Sequence, residues 1–341
     1  MKQVFKVRVK IVTKMDWPAF MNVGVQMKKA LSNYCNCTIY DRTNIKPGGN
    51  ILFIGTVFHP TLDLVSQFLG RSQLVFYGTT EGHSFVDEAN LRTAKQIKII
   101  AVSNFVRQML GEIGISVADV VHHGLDMGSR KVDTQFYKVL RRKLRNKKII
   151  LAVAANHSRK GLDNLLRAYG LVEQEVKNAC LILHSESAGY YNLSKIAKNL
   201  KLKRFWMTNL FGKMSSSRLN ALYKLCRVYV QPSYSEGFGL TTLEAFRFDK
   251  PVVAVDAPPF NEVVRQGENG VLVPVKKTTW QNFADLVLFK MHMYQAQDMA
   301  SAILEVISNR DKTTNMQENI RKEKYNWSIH KLYPELLSYF A

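Results

Sequence analysis

Two carboxylates, Glu236 and Glu244, stand on either side of a glycine-containing turn in the segment PSYSEGFGLTTLEAFRFDK. Gly237 and Gly239 flank Phe238, and glycines let backbone N–H groups approach a ligand closely. A helix that begins at such a turn offers its N-terminus to a phosphate. The carboxylates would repel that phosphate and would instead accept hydrogen bonds from sugar hydroxyls. The segment therefore predicts a site for a ligand with both phosphate and sugar groups.

The same residues also have a purely structural interpretation. Thr241 and Glu244 fit the S/T-x-x-E capping box, which only starts a helix. Glu236 could be a solvated loop carboxylate, and the two glycines could form a plain tight turn. The local pattern leaves both interpretations open.

The elements that must position this segment alternate between short β-rich runs and segments of helical period. Such alternation implies parallel sheets covered by helices on both faces. Two doubly wound α/β domains are predicted, with a boundary between Asp126 and Asn146. The predicted strands are Val4 to Val12, Ile51 to Ile54, Leu74 to Tyr77, Ile97 to Val102, Ile149 to Ala154, Cys180 to His184, Val228 to Gln231, Val252 to Val255 and Gly270 to Val273.

The composition supports a large, basic, globular protein. The chain has 341 residues, 46% of them hydrophobic, which excludes a small binding module and a disordered chain. Lys and Arg outnumber Asp and Glu by 48 to 27, so the net charge is +21 and anionic partners are favoured. The run from Arg130 to Lys148 holds nine basic residues and one Asp. It could contact phosphates or an anionic membrane, or simply be a solvated face.

The remaining composition signals exclude several classes of protein. The four cysteines form neither a C-x-x-C pair nor a cluster with histidine, so no zinc site or disulfide framework is predicted and a reducing compartment is expected. No run approaches 18 apolar residues, and the N-terminal sequence alternates basic and apolar residues, as a strand does and a signal peptide does not. We therefore expect a soluble or peripheral protein.

Several segments together resemble the retaining GT-B glycosyltransferases of family four, the glycogen-synthase-like and mannosyltransferase-like group. EGFGLTTLEAF matches the E-x7-E signature of that family, and LILHSES, FGKMSSSRLNALYKLCRVYVQPS, PVVAVDAPPFNEVV and GENGVLV stand in the expected order. RKGLDNLLRAYGLV, IIAVSNFVRQMLGEIGISVADVVHHGLD and NVGVQMKKAL resemble further family segments, the last one a glycine-containing loop and first helix. The resemblance covers most of the chain.

The resemblance implies a GT-B fold, in which two doubly wound Rossmann-like domains face a central cleft. The expected domains are an acceptor-binding domain at residues 1–135 and a nucleotide-sugar-binding domain at residues 146–320. A C-terminal helix at residues 321–341 is expected to pack back toward the first domain.

The resemblance also implies roles in a donor site for a nucleotide-diphosphate sugar. Glu236 would lie near the sugar hydroxyls, and Glu244 would bind the ribose. Lys160 would stabilise the departing diphosphate. The nucleobase pocket is expected near residues 211–214. The implied donor-binding residues are Arg159, Asn156, Gly237, Phe238, Gly239, Leu240, Thr241, Glu244 and Gly212.

The sequence departs from the family pattern at two places. The family usually has Gly-Arg after the strand that precedes RKG, whereas this chain has AVAANHSRKG. Either Arg159 supplies the second positive charge or Asn156 holds the phosphate by hydrogen bonding. Asp249 and Lys250 replace a glycine that usually precedes PVVA, which we expect to change only a turn.

On the acceptor side, the segment GTTEGHSF follows a predicted strand. By the resemblance, His83 would orient the donor sugar or the acceptor hydroxyl, although it could equally be a loop histidine without a role. Glu81, Gly24 and His123 are further acceptor-side candidates. For His122 and His123 a structural role is the favoured interpretation.

The resulting hypothesis is a retaining transferase that moves a sugar to a glycan, lipid-linked or protein-linked acceptor. The chain contains no D-x-D, so neither a metal nor another cofactor is expected. A cytoplasmic location is expected, with peripheral attachment to an anionic membrane. The alternatives are an enzyme that hydrolyses or epimerises its nucleotide sugar, and a basic nucleic-acid-binding or degenerate GT-B protein that only binds.

Overall fold

The computed structural model describes residues 7–340, which divide into two compact units. Unit 1 comprises the described chain up to Asp126, the segment Trp280–Lys290 and the residues from Tyr325 onward. Unit 2 comprises Met127–Thr279 and Met291–Lys324. Each unit contains its own six-stranded sheet and its own buried core.

The sheet of unit 1 is parallel throughout, with the order β2-β1-β3-β4-β6-β7. Its central strands are runs such as ILFIG and QLVFY, whose side chains are almost all buried because helices cover both faces. The strands of this unit are β1 (Arg8–Thr13), β2 (Asn36–Asp41), β3 (Asn50–Thr56), β4 (Gln73–Thr79), the short β5 (Gly82–Ser84) outside the sheet, β6 (Lys98–Ala101) and β7 (Asp119–Val120).

Four helices accompany these strands. Three of them directly follow a strand of the six-stranded sheet, as in a doubly wound fold, and α3 follows β5. They are α1 (Pro18–Leu31), α2 (His59–Ser66), α3 (Glu88–Ala94) and α4 (Asn104–Glu112).

Unit 2 repeats the design, with a parallel sheet in the order β10-β9-β8-β11-β12-β13. From β8 the chain adds β9 and β10 in one direction across the sheet, and from β11 it adds β12 and β13 in the other direction. The connections that follow β8 and β11 therefore lie on opposite sides of the sheet. The strands are β8 (Lys148–Val153), β9 (Ala179–His184), β10 (Phe205–Met207), β11 (Val228–Gln231), β12 (Val252–Val255) and β13 (Gly270–Val273). The helices are α5 (Thr134–Lys143), α6 (Leu162–Glu175), α7 (Leu193–Asn199), α8 (Ser216–Leu225), α9 (Leu240–Arg247), α10 (Ala296–Ser308) and α11 (Arg310–Glu323).

A β-hairpin follows β13, formed by β14 (Lys277–Phe283) and β15 (Val287–Met293). Ala284 and Asp285 form its turn and both have positive φ, which matches the right-handed twist of the strands. Within unit 1, β15 pairs antiparallel with β5, so the three strands make a small sheet. Nothing in the sequence analysis predicted this hairpin.

The end of the described chain forms α12 (Ile329–Leu332) and short 3₁₀ turns within unit 1. The Tyr333 hydroxyl accepts a hydrogen bond from the Gly124 N–H, and the Leu125 N–H donates to the Trp327 carbonyl. These contacts attach the terminal segment to the turn HHGLD.

The predicted α/β fold class is confirmed, with two Rossmann-like sheets. The strands predicted in unit 2 agree with β8, β9, β11, β12 and β13 to within one residue. In unit 1 the prediction for Val4 to Val12 corresponds to β1, although residues 4–6 lie outside the described residues. Runs rich in Val and Ile between turn residues made these strands recognisable.

Candidate active site

The candidate site lies at the carboxyl edge of the unit 2 sheet, where β8 and β11 are neighbours. In open parallel sheets, ligands bind at such a reversal of strand order, outside the carboxyl ends of the strands. The segment 154–161 follows β8 and the segment 232–239 follows β11. Parallel pairing therefore brings these two loops together, although about 75 residues separate them in sequence.

Glu236 lies at the centre of this edge and shares its carboxylate between two cations. Arg159 Nη1 donates to Oε2 at 2.8 Å, and Lys160 Nζ forms a short ion pair with Oε1. The Ser233 hydroxyl also donates to Oε1, at 2.9 Å. All three charged side chains are at most 16% exposed, so water screens the interaction weakly.

The electrostatics of this triad keep Glu236 ionised. Burial by itself would raise the pKa of Glu236, but the charges and hydrogen bonds of Lys160 and Arg159 outweigh it and lower the pKa to about 2. A nearby histidine behaves differently, because burial and the same two cations lower the pKa of His157 to about 4. The site thus presents two cations, one carboxylate and a neutral imidazole at neutral pH.

Backbone contacts fix the two loops against each other. The Tyr234 N–H donates to the Arg159 carbonyl at 2.8 Å. Gly161 has a φ of 59°, and a Cβ at this position would lie 2.3 Å from the Pro232 carbonyl oxygen. Only glycine permits both the left-handed backbone and this close approach. The spacing between Lys160 and the loop after β11 is therefore set by Gly161.

The turn between β11 and α9 has the geometry of an anion site. Gly239 precedes α9 with a φ of 89°, and a Cβ there would crowd Phe260 and Gln231. Leu240 and Thr241 are the first residues of α9, so their N–H groups have no partner inside the helix. Phe238 is buried, whereas Gly239 and Leu240 remain partly exposed. Backbone donors of this turn can therefore meet an anion.

The capping-box interpretation of Thr241 and Glu244 is wrong. The helix begins after Gly239, and no side chain caps it. Glu244 instead accepts a hydrogen bond from the Tyr223 hydroxyl at 2.7 Å. Burial raises the pKa of Glu244, against the smaller opposing effects of Tyr223 and Arg247. A partly buried carboxylate with a remaining acceptor oxygen is suited to bind hydroxyl groups.

Asn156 does not present a free amide to a phosphate. Its Nδ2 donates to the carbonyls of Glu186 and Tyr191, at 3.3 and 2.8 Å, and its Oδ1 accepts from the Tyr191 N–H at 3.0 Å. The side chain thereby fixes the loop after β9. Two residues were candidates for the role of the family arginine. Of these, only Arg159 has its charged group beside that of Lys160, because both contact Glu236.

Gly212 lies in the exposed turn after β10, with a φ of 71°. The Phe211 ring lies 5.6 Å from the His184 ring, and His184 Nδ1 is 2.8 Å from the Thr208 hydroxyl. β9 is the neighbour of β8 and β10 is the neighbour of β9 in the same parallel sheet, so this turn lies at the same sheet edge as Lys160.

In unit 1, the acceptor-side candidates His83 and Glu81 lie at and beside β5, next to the hairpin. His83 Nε2 is 2.6 Å from Glu112 Oε2, and its ring centroid is 4.5 Å from that of Trp280. The Glu81 carbonyl accepts a hydrogen bond from the Lys290 N–H. The hairpin thus holds the His83 loop, a contact that sequence reasoning missed.

The other two acceptor-side candidates make packing contacts within unit 1. His123 is buried, with Nδ1 3.1 Å from the Tyr77 hydroxyl, and burial lowers its pKa to about 3. Gly24 was expected in a loop before the first helix, but it lies inside α1. A Cβ at Gly24 would stand 3.3 Å from Thr13 Cγ2, so this glycine allows α1 to approach β1.

Two kinds of feature are absent from residues 7–340. No three His, Cys, Asp or Glu side chains cluster in a way that could hold a metal ion. No helix combines the length and the apolar character needed to cross a bilayer.

Comparison with known proteins places this geometry in context. Residues 135–294 match the family model described as Glycosyl transferases group 1. An uncharacterized glycosyltransferase of Sulfolobus islandicus rod-shaped virus 1 is 22% identical over 341 residues, covering 96% of this chain and 98% of the relative. Another from Methanocaldococcus jannaschii is 24% identical over 276 residues, covering 78% of this chain and 67% of the relative.

Two solved structures resemble the whole chain. Sucrose-phosphate synthase from Thermosynechococcus elongatus superposes with a TM-score of 0.74 at 15% identity, covering 98% of both chains. The fold is GT-B. Anabaena HepE in complex with UDP-glucose gives a TM-score of 0.71 at 17% identity, covering 97% of this chain and 99% of the other. The matched family model and the names of the two relatives support a glycosyltransferase that uses a nucleotide sugar.

Proposed function

We propose that this GT-B protein is a retaining, metal-independent glycosyltransferase of family four. It would move a sugar from a nucleotide-diphosphate sugar to a glycan, lipid-linked or protein-linked acceptor. The observation that carries the proposal is the triad of Arg159, Lys160 and Glu236 at the carboxyl edge of the sheet, beside the start of α9.

The two cations serve the leaving group. As the bond between the anomeric carbon and the diphosphate oxygen breaks, negative charge develops on that oxygen, and Arg159 and Lys160 can stabilise it. The N–H groups at the start of α9 add partial positive charge. These groups would supply the counter-charge that a divalent metal supplies elsewhere, so we propose that the reaction needs none.

Glu236 has a positioning role in this proposal. Its low pKa keeps the carboxylate ionised, so it accepts hydrogen bonds from sugar hydroxyls and holds the two cations in place. For retention, the acceptor oxygen attacks the anomeric carbon from the face that the diphosphate leaves. The new bond to the acceptor oxygen replaces the bond to phosphate, and the acceptor proton passes to the departing phosphate oxygen. No covalent protein intermediate is required.

Glu244 would bind the ribose hydroxyls, with Tyr223 orienting the carboxylate. The nucleobase would lie near the turn at Gly212. HepE has been solved with UDP and with UDP-glucose, which supports a UDP sugar as the first donor to test. In unit 1, His83 and Glu81 would face the acceptor, with the His83 ring oriented by Glu112 and Trp280.

A cytoplasmic location on the surface of an anionic membrane belongs to the same proposal. The net charge of +21 and the basic last turn of α5, with Arg141, Arg142 and Lys143, support it. A lipid-linked acceptor would be available on such a surface.

The proposal is tested first by a thermal-shift screen of the purified protein with UDP, GDP, ADP and their sugar conjugates, in the presence of a chelator. A ligand that binds only the folded state must raise Tm. We expect one nucleoside diphosphate to raise Tm and the shift to fall in Glu244→Ala. Glu318→Gln, an exposed carboxylate on α11, is the matched control and should leave the shift unchanged.

Turnover is then measured with the donor that binds. Release of the nucleoside diphosphate without metal, with the anomeric configuration of the product equal to that of the donor by NMR, is the expected result. Inversion would contradict the retaining mechanism. Absence of both binding and turnover, together with salt-sensitive binding to nucleic acid, would favour the binding-only alternative.

A further inference from the structure

A second, strongly basic cavity lies in unit 2, at the opposite edge of the sheet from Glu236. α9 leads the chain from the carboxyl edge back toward the amino edge, and Asp249 and Lys250 stand immediately before β12. The cavity measures about 310 Å³, at the small end of ligand sites. It is lined by Arg130, Val132, Lys224, Phe248, Asp249, Lys250, Gln317 and Arg321.

Asp249 organises the cations around this cavity. Its φ is 59°, a backbone conformation that residues other than glycine rarely adopt. Arg130 donates to both of its carboxylate oxygens, at 3.0 and 3.3 Å, Arg321 Nε lies 3.6 Å away, and Lys324 forms a short ion pair with it. The residue that replaces the usual glycine is thus the centre of an ion-pair network rather than a neutral change of turn.

Lys250 has no comparable partner. Within residues 7–340 its ammonium group makes neither a hydrogen bond nor an ion pair. Burial lowers its pKa. Cys226 and Asp249 act against this shift, and the charges of Arg321 and Lys224 add to it. A partly buried ammonium group without an ion-pair partner carries a desolvation cost. An anion in the cavity would remove it.

The charge balance of the lining favours an anion. Four cationic side chains, Arg130, Lys224, Lys250 and Arg321, face one carboxylate, Asp249. Two guanidinium groups offer planar forks that match phosphate oxygens, and two ammonium groups add rotatable donors. A carboxylate ligand would use fewer of these donors than a tetrahedral dianion would.

We propose that this cavity binds a phosphate group, either as a free phosphate or as the phosphate of an anionic lipid headgroup. Lys250 supplies the central contact, and Asp249 holds Arg130 and Arg321 at the rim. The site is separate from the donor site, because the two lie at opposite edges of one sheet.

Phosphate binding is measured by calorimetry and thermal shift, with inorganic phosphate as the probe and sodium chloride of equal ionic strength as the reference. We compare the native protein with Lys250→Met, Lys224→Met and the exposed-lysine control Lys198→Met. Loss of one charge-assisted contact should raise the Kd for phosphate about tenfold or more in Lys250→Met. Without phosphate, Lys250→Met should melt no lower than the native protein, because a partly buried charge without an ion-pair partner has been removed.

The donor site also binds phosphate in the proposed function, so every titration is repeated in a Lys160→Met background. The part of the binding that Lys160→Met removes belongs to the donor site. The part that Lys250→Met removes belongs to the cavity. Failure of one proposal is therefore distinguishable from failure of the other.

Vesicles separate the two sources of phosphate. If inorganic phosphate has no effect but phosphatidylglycerol vesicles retain the protein through Lys250, the ligand is a lipid headgroup. Phosphatidylcholine vesicles are the reference. If neither probe binds in a Lys250-dependent way, or if Lys198→Met weakens binding as much as Lys250→Met, the proposal is wrong.

Discussion

Arg159 Nη1 lies 2.8 Å from Glu236 Oε2, although 77 positions separate the two residues in sequence. The contact exists because β8 and β11 are neighbours in the sheet and end at the same edge. Lys160 occupies the other carboxylate oxygen, so Glu236 holds two cations that would otherwise repel each other. In the proposed donor complex, the diphosphate would compete with this carboxylate for the two cations.

This arrangement predicts that Glu236→Ala separates binding from turnover. Without the carboxylate, Arg159 and Lys160 face the diphosphate alone, so the Kd for a nucleoside diphosphate should stay unchanged or fall. Transfer should nevertheless drop roughly 100-fold or more, in the range seen when one transition-state contact is lost. Calorimetry and initial rates measure the two effects. A Kd that rises as the rate falls, or a rate that stays unchanged, would contradict the positioning role, and Glu318→Gln should change neither quantity.

The pKa of Glu236 predicts a pH-dependent contribution to stability. The folded pKa of about 2 lies below the ordinary value of 4.5, so this group stabilises the fold above pH 4.5. That contribution should be lost as the pH falls from 4.5 toward 2. Urea unfolding of the native protein and Glu236→Gln should therefore give a difference in free energy that is largest near pH 6 and shrinks below pH 4. A difference that grows on acidification would contradict the assigned ion triad.

Ionised Glu244 should destabilise the fold, in contrast to ionised Glu236, because the folded pKa of Glu244 is raised. A raised carboxyl pKa means that the ionised form costs stability above that pKa, and Glu244→Gln should remove this cost. We expect Glu244→Gln to be at least as stable as the native protein at pH 7.5. Its UDP-induced thermal shift should fall, while the shift with pyrophosphate, which has no ribose, should persist. Equal loss of both shifts would argue against a ribose contact.

Substitution of Gly161 by alanine should cause a steric clash in addition to backbone strain. Gly161→Ala introduces a Cβ 2.3 Å from the Pro232 carbonyl oxygen, whereas Gly267→Ala, at a φ of 77°, meets no atom within 4 Å. Both substitutions incur the left-handed cost of roughly 1–2 kcal/mol. Gly161→Ala should lose more free energy of unfolding than Gly267→Ala, and it should lower activity because the loops move apart. Equal losses in urea unfolding would show that the close approach is unimportant.

The hairpin predicts an effect on the acceptor side. Trp280→Ala removes the ring that lies 4.5 Å from His83. If His83 orients the acceptor, the KM for acceptor should rise several-fold while the Kd for the nucleoside diphosphate stays unchanged. Trp17→Ala, which removes another exposed tryptophan from unit 1, is the matched control. A donor Kd that changes in Trp280→Ala would contradict this assignment.

The sequence by itself determined five of the six strands in the unit 2 sheet, the doubly wound α/β class and the glycine turn before α9. These features depend on local signals, namely runs of Val and Ile between turn residues, and glycines where the backbone needs positive φ. From the sequence, two residues could replace the family arginine: Arg159 by supplying a positive charge, or Asn156 by hydrogen bonding to the phosphate. The sequence could not decide between them, because the choice depends on what each side chain contacts.

Only the tertiary structure decided the contacts between residues distant in sequence. The order of the strands allows Arg159 and Lys160 to form ion pairs with Glu236. The Asn156 amide instead donates a hydrogen bond to the loop after β9. Because β15 pairs with β5, Trp280 lies next to His83. Asp249 binds Arg130, which is 119 positions away in sequence. Hydrophobic periodicity reports which face of an element is buried, but not which element lies next to it. The partners of Glu236, His83 and Asp249 were therefore set by strand order and loop packing.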